Sequence, residues 1–360
     1  MQADEISLEN IINEVRPIDR QWIDQAKKRT SQLVMPTRAL GELHNIAERM
    51  CAIQKTMTPR AGKKAVLVFA GDHGIMQEGV SPYPQEITGE MVRTFLKGGA
   101  GINAICRHVG ADVTVVDMGI IPDFDPAKIE GGEKLRVHKL GQGTANFAQG
   151  PAMSRKEAEE AVLFGFELAA DLFEQGVQIL GTGDMGLGNT SPSAAIGTLC
   201  TGRSLEIMVG RGTGVDDKGL EKKRSVIQKG IALNSPDPRD GLDVLAKVGG
   251  FEIGGIAGCM LAGAYYSRPV MVDGFISSAG ALIAHSLCPQ VIDYLFAGHC
   301  SEEQGHQTML SFLELKPLLD LNMRLGEGTG GALAMSVIDA ALRVFREVLT
   351  FEEAGVTDKE

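Results

Sequence analysis

Five short apolar runs, each breaking off in glycine plus a small polar or charged residue, restrict the fold of this chain more than any other feature. Ala65–Phe69 ends in Ala70-Gly-Asp-His-Gly74, and Val113–Val116 ends in Asp117-Met-Gly119. Val177–Leu180 ends in Gly181-Thr-Gly-Asp-Met-Gly186, Ile207–Val209 in Gly210-Arg-Gly-Thr-Gly214, and Pro269–Val272 in Asp273-Gly-Phe-Ile-Ser277. Apolar runs without alternation are the pattern of strands covered on both faces. Helical stretches separate them, at roughly 89–108, 155–175, 218–233, 251–266 and 279–286. Alternating strands and helices require crossover connections, hence an α/β chain with a Rossmann-like, mostly parallel sheet flanked by helices.

Both ends of the chain read differently. Leu8, Ile11, Ile12 and Val15 recur at helical spacing, as do Leu40, Leu43, Ile46 and Met50, and 303–349 is helical again. The expected organisation is an α/β domain over 60–302 and a small helical subdomain made of 1–59 together with 303–360. In open parallel sheets, ligands bind at the carboxyl edge of the strands. The five run ends therefore predict a polar rim with little side-chain bulk. Glycine numbers 45 in 360 residues, above the usual ~7%, which predicts tight turns whose backbone amides take part in binding.

The net charge is −11, with 44% hydrophobic residues. An acidic chain without a basic block is a poor partner for nucleic acid. Lys63-Lys64 and Lys222-Lys223-Arg224 remain free to hold one small phosphate. Six cysteines without a C-x-x-C spacing read as reduced core thiols, and the acidic N-terminus does not read as a signal peptide, so a cytoplasmic protein is expected. The longest nearly uncharged run, Val248–Ser267, contains Glu252 and six glycines and reads as a buried helix, with no membrane association expected.

Individual motifs leave alternatives open. Gly181–Gly186 matches G-x-G-x-x-G after a strand, the basis for an NAD-dependent oxidoreductase. Glu206, at the spacing of a ribose-binding acid, precedes its apolar run instead of ending it. A plain turn, or another phosphate- or sugar-facing loop, fits the same residues. Gly210–Gly214, followed by Lys218, Lys222, Lys223 and Arg224, reads equally as a phosphate loop or a solvated basic helix face. Asp72-His73 has no second histidine at ligand spacing, so no metal is expected; Asp72 reads as holding a neighbouring loop. Glu327 stands between two glycines in Leu- and Ala-rich sequence. A carboxylate there loses hydration, and its pKa rises toward that of a general base. The competing reading is a helix start in which Glu327 stabilises free amides.

Five segments in one order resemble the nicotinate-nucleotide–dimethylbenzimidazole phosphoribosyltransferase family of cobalamin nucleotide-loop synthesis. They are Ala65–Gly79 (AVLVFAGDHGIMQEG), Gly181–Pro192 (GTGDMGLGNTSP), Asn234–Gly250 (NSPDPRDGLDVLAKVGG), Val272–Ser277 (VDGFIS) and Met323–Met335 (MRLGEGTGGALAM). The resemblance implies transfer of the 5-phosphoribosyl group of nicotinate mononucleotide to a base such as 5,6-dimethylbenzimidazole, with inversion at C1′, without cofactor or metal, in a homodimer. It implies Glu327 as general base. It places Lys223, Arg324 and the amides of Gly210 and Gly212 near the 5′-phosphate, and Asp184 and Gly186 at the substrate. Family members commonly have Glu at position 184, and often a Ser and a Gln where Tyr83 and Met91 align. The larger, less polar pair leaves adenine, hydroxybenzimidazole or a phenolic base open as acceptors.

Overall fold

The apolar runs assemble one parallel sheet. In the computed structural model, which describes residues 7–212, 214 and 216–357, it comprises β1 (Lys63–Gly71), β2 (Ala111–Gly119), β3 (Leu135–Val137), β4 (Val177–Met185), β5 (Val270–Val272) and β6 (Leu295–Ala297). The order is β3-β2-β1-β4-β5-β6, with every neighbouring pair parallel. The chain moves outward from β1 to β3, returns to β1's other side with β4, and moves outward again. The reversal opens a crevice at the carboxyl ends of β1 and β4, where a ligand fits in this topology.

Three features of the sheet differ from expectation. Ile207–Val209 is not a strand: Leu205–Met208 forms a single helical turn, with Met208 and Val209 buried. Three apolar residues are too few to separate strand from helix by period. The sheet instead gains β3 and β6, three residues each, which leave almost no periodic signal. The third run also continues further than expected, since Gly181–Met185 belongs to β4 and is not a turn.

The helices are α1 (Leu8–Glu14), α2 (Arg20–Gln32), α3 (Glu42–Gln54), α4 (Ile87–Leu96), α5 (Gly101–Val109), α6 (Arg155–Glu174), α7 (Thr190–Thr201), α8 (Leu205–Met208), α9 (Asp217–Asn234), α10 (Gly241–Val248), α11 (Phe251–Tyr265), α12 (Phe275–Leu287), α13 (His306–Phe312) and α14 (Thr329–Glu347). They cover both faces of the sheet. Phe69 of β1 lies against Gly255 of α11, whereas Val66 lies against Gly328 at the start of α14. Residues three apart on a strand point to opposite faces, so α11 and α14 sandwich the sheet. α14 also packs on α3 and α5.

α11 is buried from Phe251 to Ala264. It touches α6 backbone to backbone: a Cβ on Gly165 would overlap the Gly255 carbonyl, and one on Gly258 would overlap that of Val162. Gly255 and Gly258 of the uncharged stretch thus serve close helix packing rather than turns. Among the described residues, no helix is long and apolar enough to cross a membrane.

Candidate active site

Glu327 is placed by four constraints. Gly326, Glu327 and Gly328 all have positive φ, at 80°, 62° and 89°. A left-handed backbone costs a non-glycine residue about 1–2 kcal/mol, so surrounding contacts must hold Glu327 there. The peptide after Glu327 crosses β4 at Gly183, where any Cβ would overlap the Glu327 carbonyl. Asp273, at the end of β5, accepts hydrogen bonds from the amides of Gly328 (3.1 Å) and Gly331 (2.8 Å). Asp273 therefore caps α14, a task the sequence left open for Glu327. The Glu327 side chain turns instead to α5, where Oε2 accepts from the Ile102 amide at 3.3 Å.

Glu327 is 5% exposed. Burial raises its pKa above the usual carboxylate value, and the Ile102 amide opposes this only in part. Burial likewise lifts Asp184 well above its ordinary value, reinforced by Asp273, Glu252 and Glu327, while Asn189 donates to Asp184 Oδ2 at 2.8 Å and opposes the rise. Asp273 is pushed up to about 7 by burial, against the amides it accepts from.

A cavity of about 630 Å³ lies at the carboxyl edge of the sheet. Glu327, Arg324, Asp184, Gly186, Gly212, Tyr83 and Met91 all line it. Part of the wall is apolar: Ile87 and Met91, four residues apart on α4, with Leu187, Phe275 and Ile276. α4 is tied to this wall through Thr88 Oγ1, which accepts from the Leu187 amide at 3.2 Å. Tyr83 stands at the rim, half exposed.

Another region brings a buried cation and backbone amides together. Lys223 of α9 is 2% exposed, and its Nζ donates to Thr190 Oγ1 at 2.7 Å and abuts Gly212. Burial lowers its pKa to about 8, with Glu303 opposing. Glu303 itself is raised by burial, against Lys223, Arg324 and the Gly212 amide. The start of α7 has no side-chain cap, so its dipole adds positive potential beside Thr190. Lys223 and Gly210 lie behind the lining; Gly210 packs on Glu303. Thr213 and Val215 of the same glycine-rich segment lie outside the described residues.

Several lining residues escaped the sequence reading. Phe275 and Ile276 sit in the run ending Asp273–Ser277, where the strand-end rule already pointed. His299, Ser301 and Glu303 follow the three-residue β6 and carry no periodic signal. The G-x-G-x-x-G match has a different use from dinucleotide binding. Gly181 and Gly183 lie inside β4 and make room for Met335 and the Glu327 peptide. Asp72 does hold a loop, its Oδ2 accepting from the Ile121 amide at 2.8 Å.

Residues 15–356 match the family model described as Phosphoribosyltransferase. Nicotinate-nucleotide–dimethylbenzimidazole phosphoribosyltransferase from Geobacter sp. (strain M21) is 51% identical over 350 residues, 97% of this chain and 99% of that protein. The protein of the same name from Chloroflexus aggregans is 48% identical over 353 residues, covering 98% and 99%. The chain belongs to the nicotinate-nucleotide–dimethylbenzimidazole phosphoribosyltransferase family. The crystal structure of the Thermus thermophilus member superimposes with a TM-score of 0.89 at 43% identity, covering 95% of this chain and all of the other. The family assignment makes the chain a pentosyltransferase.

Proposed function

We propose that this family member moves the 5-phosphoribosyl group of nicotinate mononucleotide to a benzimidazole-type base, releasing nicotinate and forming α-ribazole 5′-phosphate. The observation that carries this reading is a buried carboxylate, Glu327, opening on the same cavity as an anion site formed by Lys223, Thr190 and Arg324. The pyridinium ring of the nucleotide leaves as neutral pyridine nitrogen, taking the C1′–N electron pair, so its departure needs no proton. The attacking benzimidazole bonds to C1′ through one nitrogen, and the proton on its other nitrogen passes to Glu327. A single base of raised pKa meets that need. Inversion follows when base and nicotinate occupy opposite faces of the ribose. Holding both at reactive distance supplies much of the rate.

Asp184 and Gly186 face the nucleotide, while Tyr83 and Met91 face the acceptor. In this reading the enzyme is a cytoplasmic homodimer, and sedimentation at twice the 38.4 kDa chain mass checks its assembly. The reaction is tested by incubating the protein with nicotinate mononucleotide and 5,6-dimethylbenzimidazole and identifying products by mass. α-Ribazole 5′-phosphate and free nicotinate in equal amounts support the reading. No transfer to any benzimidazole or purine overturns it.

A further inference from the structure

A buried ion pair sits beneath the cavity floor and takes no part in the chemistry described above. His73 follows the end of β1, and Glu252 lies in the first turn of α11. His73 Nε2 is 3.0 Å from Glu252 Oε1, and the two side chains are 1% and 0% exposed. Neither group has another hydrogen-bonding partner among the described residues.

Glycines from three separate segments make room for the pair. A Cβ on Gly71 would stand 2.8 Å from Glu252 Oε2. One on Gly250 would stand 2.7 Å from both Glu252 Oε1 and His73 Cε1, and one on Gly186 would stand 3.2 Å from His73 Nε2. Gly186 lines the cavity and opens the turn that continues through Asn189, which is bonded back to Asp184. The backbone on either side of His73 is pinned from outside: the Thr144 amide donates to the Asp72 carbonyl at 2.9 Å, and the Gly74 amide to the Thr144 carbonyl at 3.0 Å.

We propose that His73 and Glu252 are a positioning pair that fixes the Asp184–Asn189 turn, and with it Thr190, at the spacing the nucleotide substrate requires. The inference rests on the phosphoribosyl-transfer reading. Burial alone would lower the imidazole pKa, but Glu252 and Asp72 outweigh it and hold the ring above its usual value. A buried ion pair adds little net stability over apolar side chains of similar size. Its effect here is on where the ends of β1 and β4 and the start of α11 meet. Glu327 is held by Ile102, by the Asp273 cap and by Gly183 inside β4 rather than by the Asp184–Asn189 turn, so loss of the pair weakens nucleotide capture without disabling proton transfer.

The test is the double variant His73→Leu/Glu252→Leu, measured for melting temperature, for steady-state kinetics and for nicotinate mononucleotide affinity by calorimetry. The expected result is a melting temperature near wild type, a KM and Kd for the nucleotide raised roughly 10- to 100-fold, and kcat at saturation close to wild type. A folded double variant with unchanged KM and Kd overturns the proposal. His73→Gln and His73→Asn decide the matter if the double variant does not fold. Gln places an amide nitrogen near the Nε2 position and recovers most of the affinity, whereas the shorter Asn does not; equal affinities for the two overturn the pair's role. Wild-type binding without turnover overturns the reaction and leaves the affinity comparison standing, while absence of wild-type binding overturns both.

Discussion

Gly183 and Glu327, 144 positions apart in the sequence, meet face to face: the bare Cα of the strand residue supports the carbonyl of the loop residue, with no room for a methyl group between them. The contact explains how Glu327 keeps a left-handed backbone, since β4 blocks the path by which the loop would relax. It also gives a prediction. Gly183→Ala forces the Glu327 peptide off the strand. The expected outcome is a loss of about 1–3 kcal/mol in urea unfolding, with a fall in kcat and little change in nucleotide affinity.

Lys223 should trade stability for binding. Its ammonium is buried and its pKa lowered to about 8, so the charged form is disfavoured before substrate arrives. Lys223→Met removes that penalty and should leave the melting temperature unchanged or raised. In the proposed reading the same change also deletes a charge-assisted bond to the phosphate. It should weaken nicotinate mononucleotide binding by about 1.5–3 kcal/mol, read by calorimetry.

The pH profile carries both signs. Glu327 accepts a proton only when ionised, and burial raises its pKa above the usual carboxylate value. The rate should therefore rise with pH through an acid limb displaced upward from the ordinary carboxylate range. If Lys223 holds the phosphate as proposed, it does so only when protonated, so kcat/KM for the nucleotide, which reports the free enzyme, should fall as pH passes about 8. Glu327→Gln should abolish the acid limb, and Lys223→Met the alkaline one.

Acceptor choice should follow the apolar wall. Met91 offers no hydrogen-bond donor, and it shares the cavity with Ile87 and Leu187. Competition between 5,6-dimethylbenzimidazole and adenine should favour the former. Met91→Gln should narrow that preference by about 10-fold or more, read as the ratio of product masses.

Much of this architecture is legible in the sequence because buried parallel strands leave continuous apolar runs. β1, β2, β4 and β5 were visible for that reason, whereas Glu327, a carboxylate between glycines in apolar sequence, read equally as a helix start. β3 and β6 were not visible, since three residues carry no period. The run at 207–209 misled for the same reason, becoming part of a helical turn and the residue after it. Glycine misled in kind rather than number. Gly165, Gly183 and Gly258 are contact points between backbones, a role set by partners far away in sequence. Glu303 and His299 were silent because only the folded loops bring them to Arg324, Lys223 and Asp273.

The central claim is that Glu327 removes the proton from the attacking base, and Glu327→Gln tests it most directly. The amide keeps the shape and loses the basicity. The expected result is nicotinate mononucleotide affinity equal to wild type by calorimetry, with turnover reduced by about two to four orders of magnitude. Turnover within a few-fold of wild type, at the same affinity, would contradict the account.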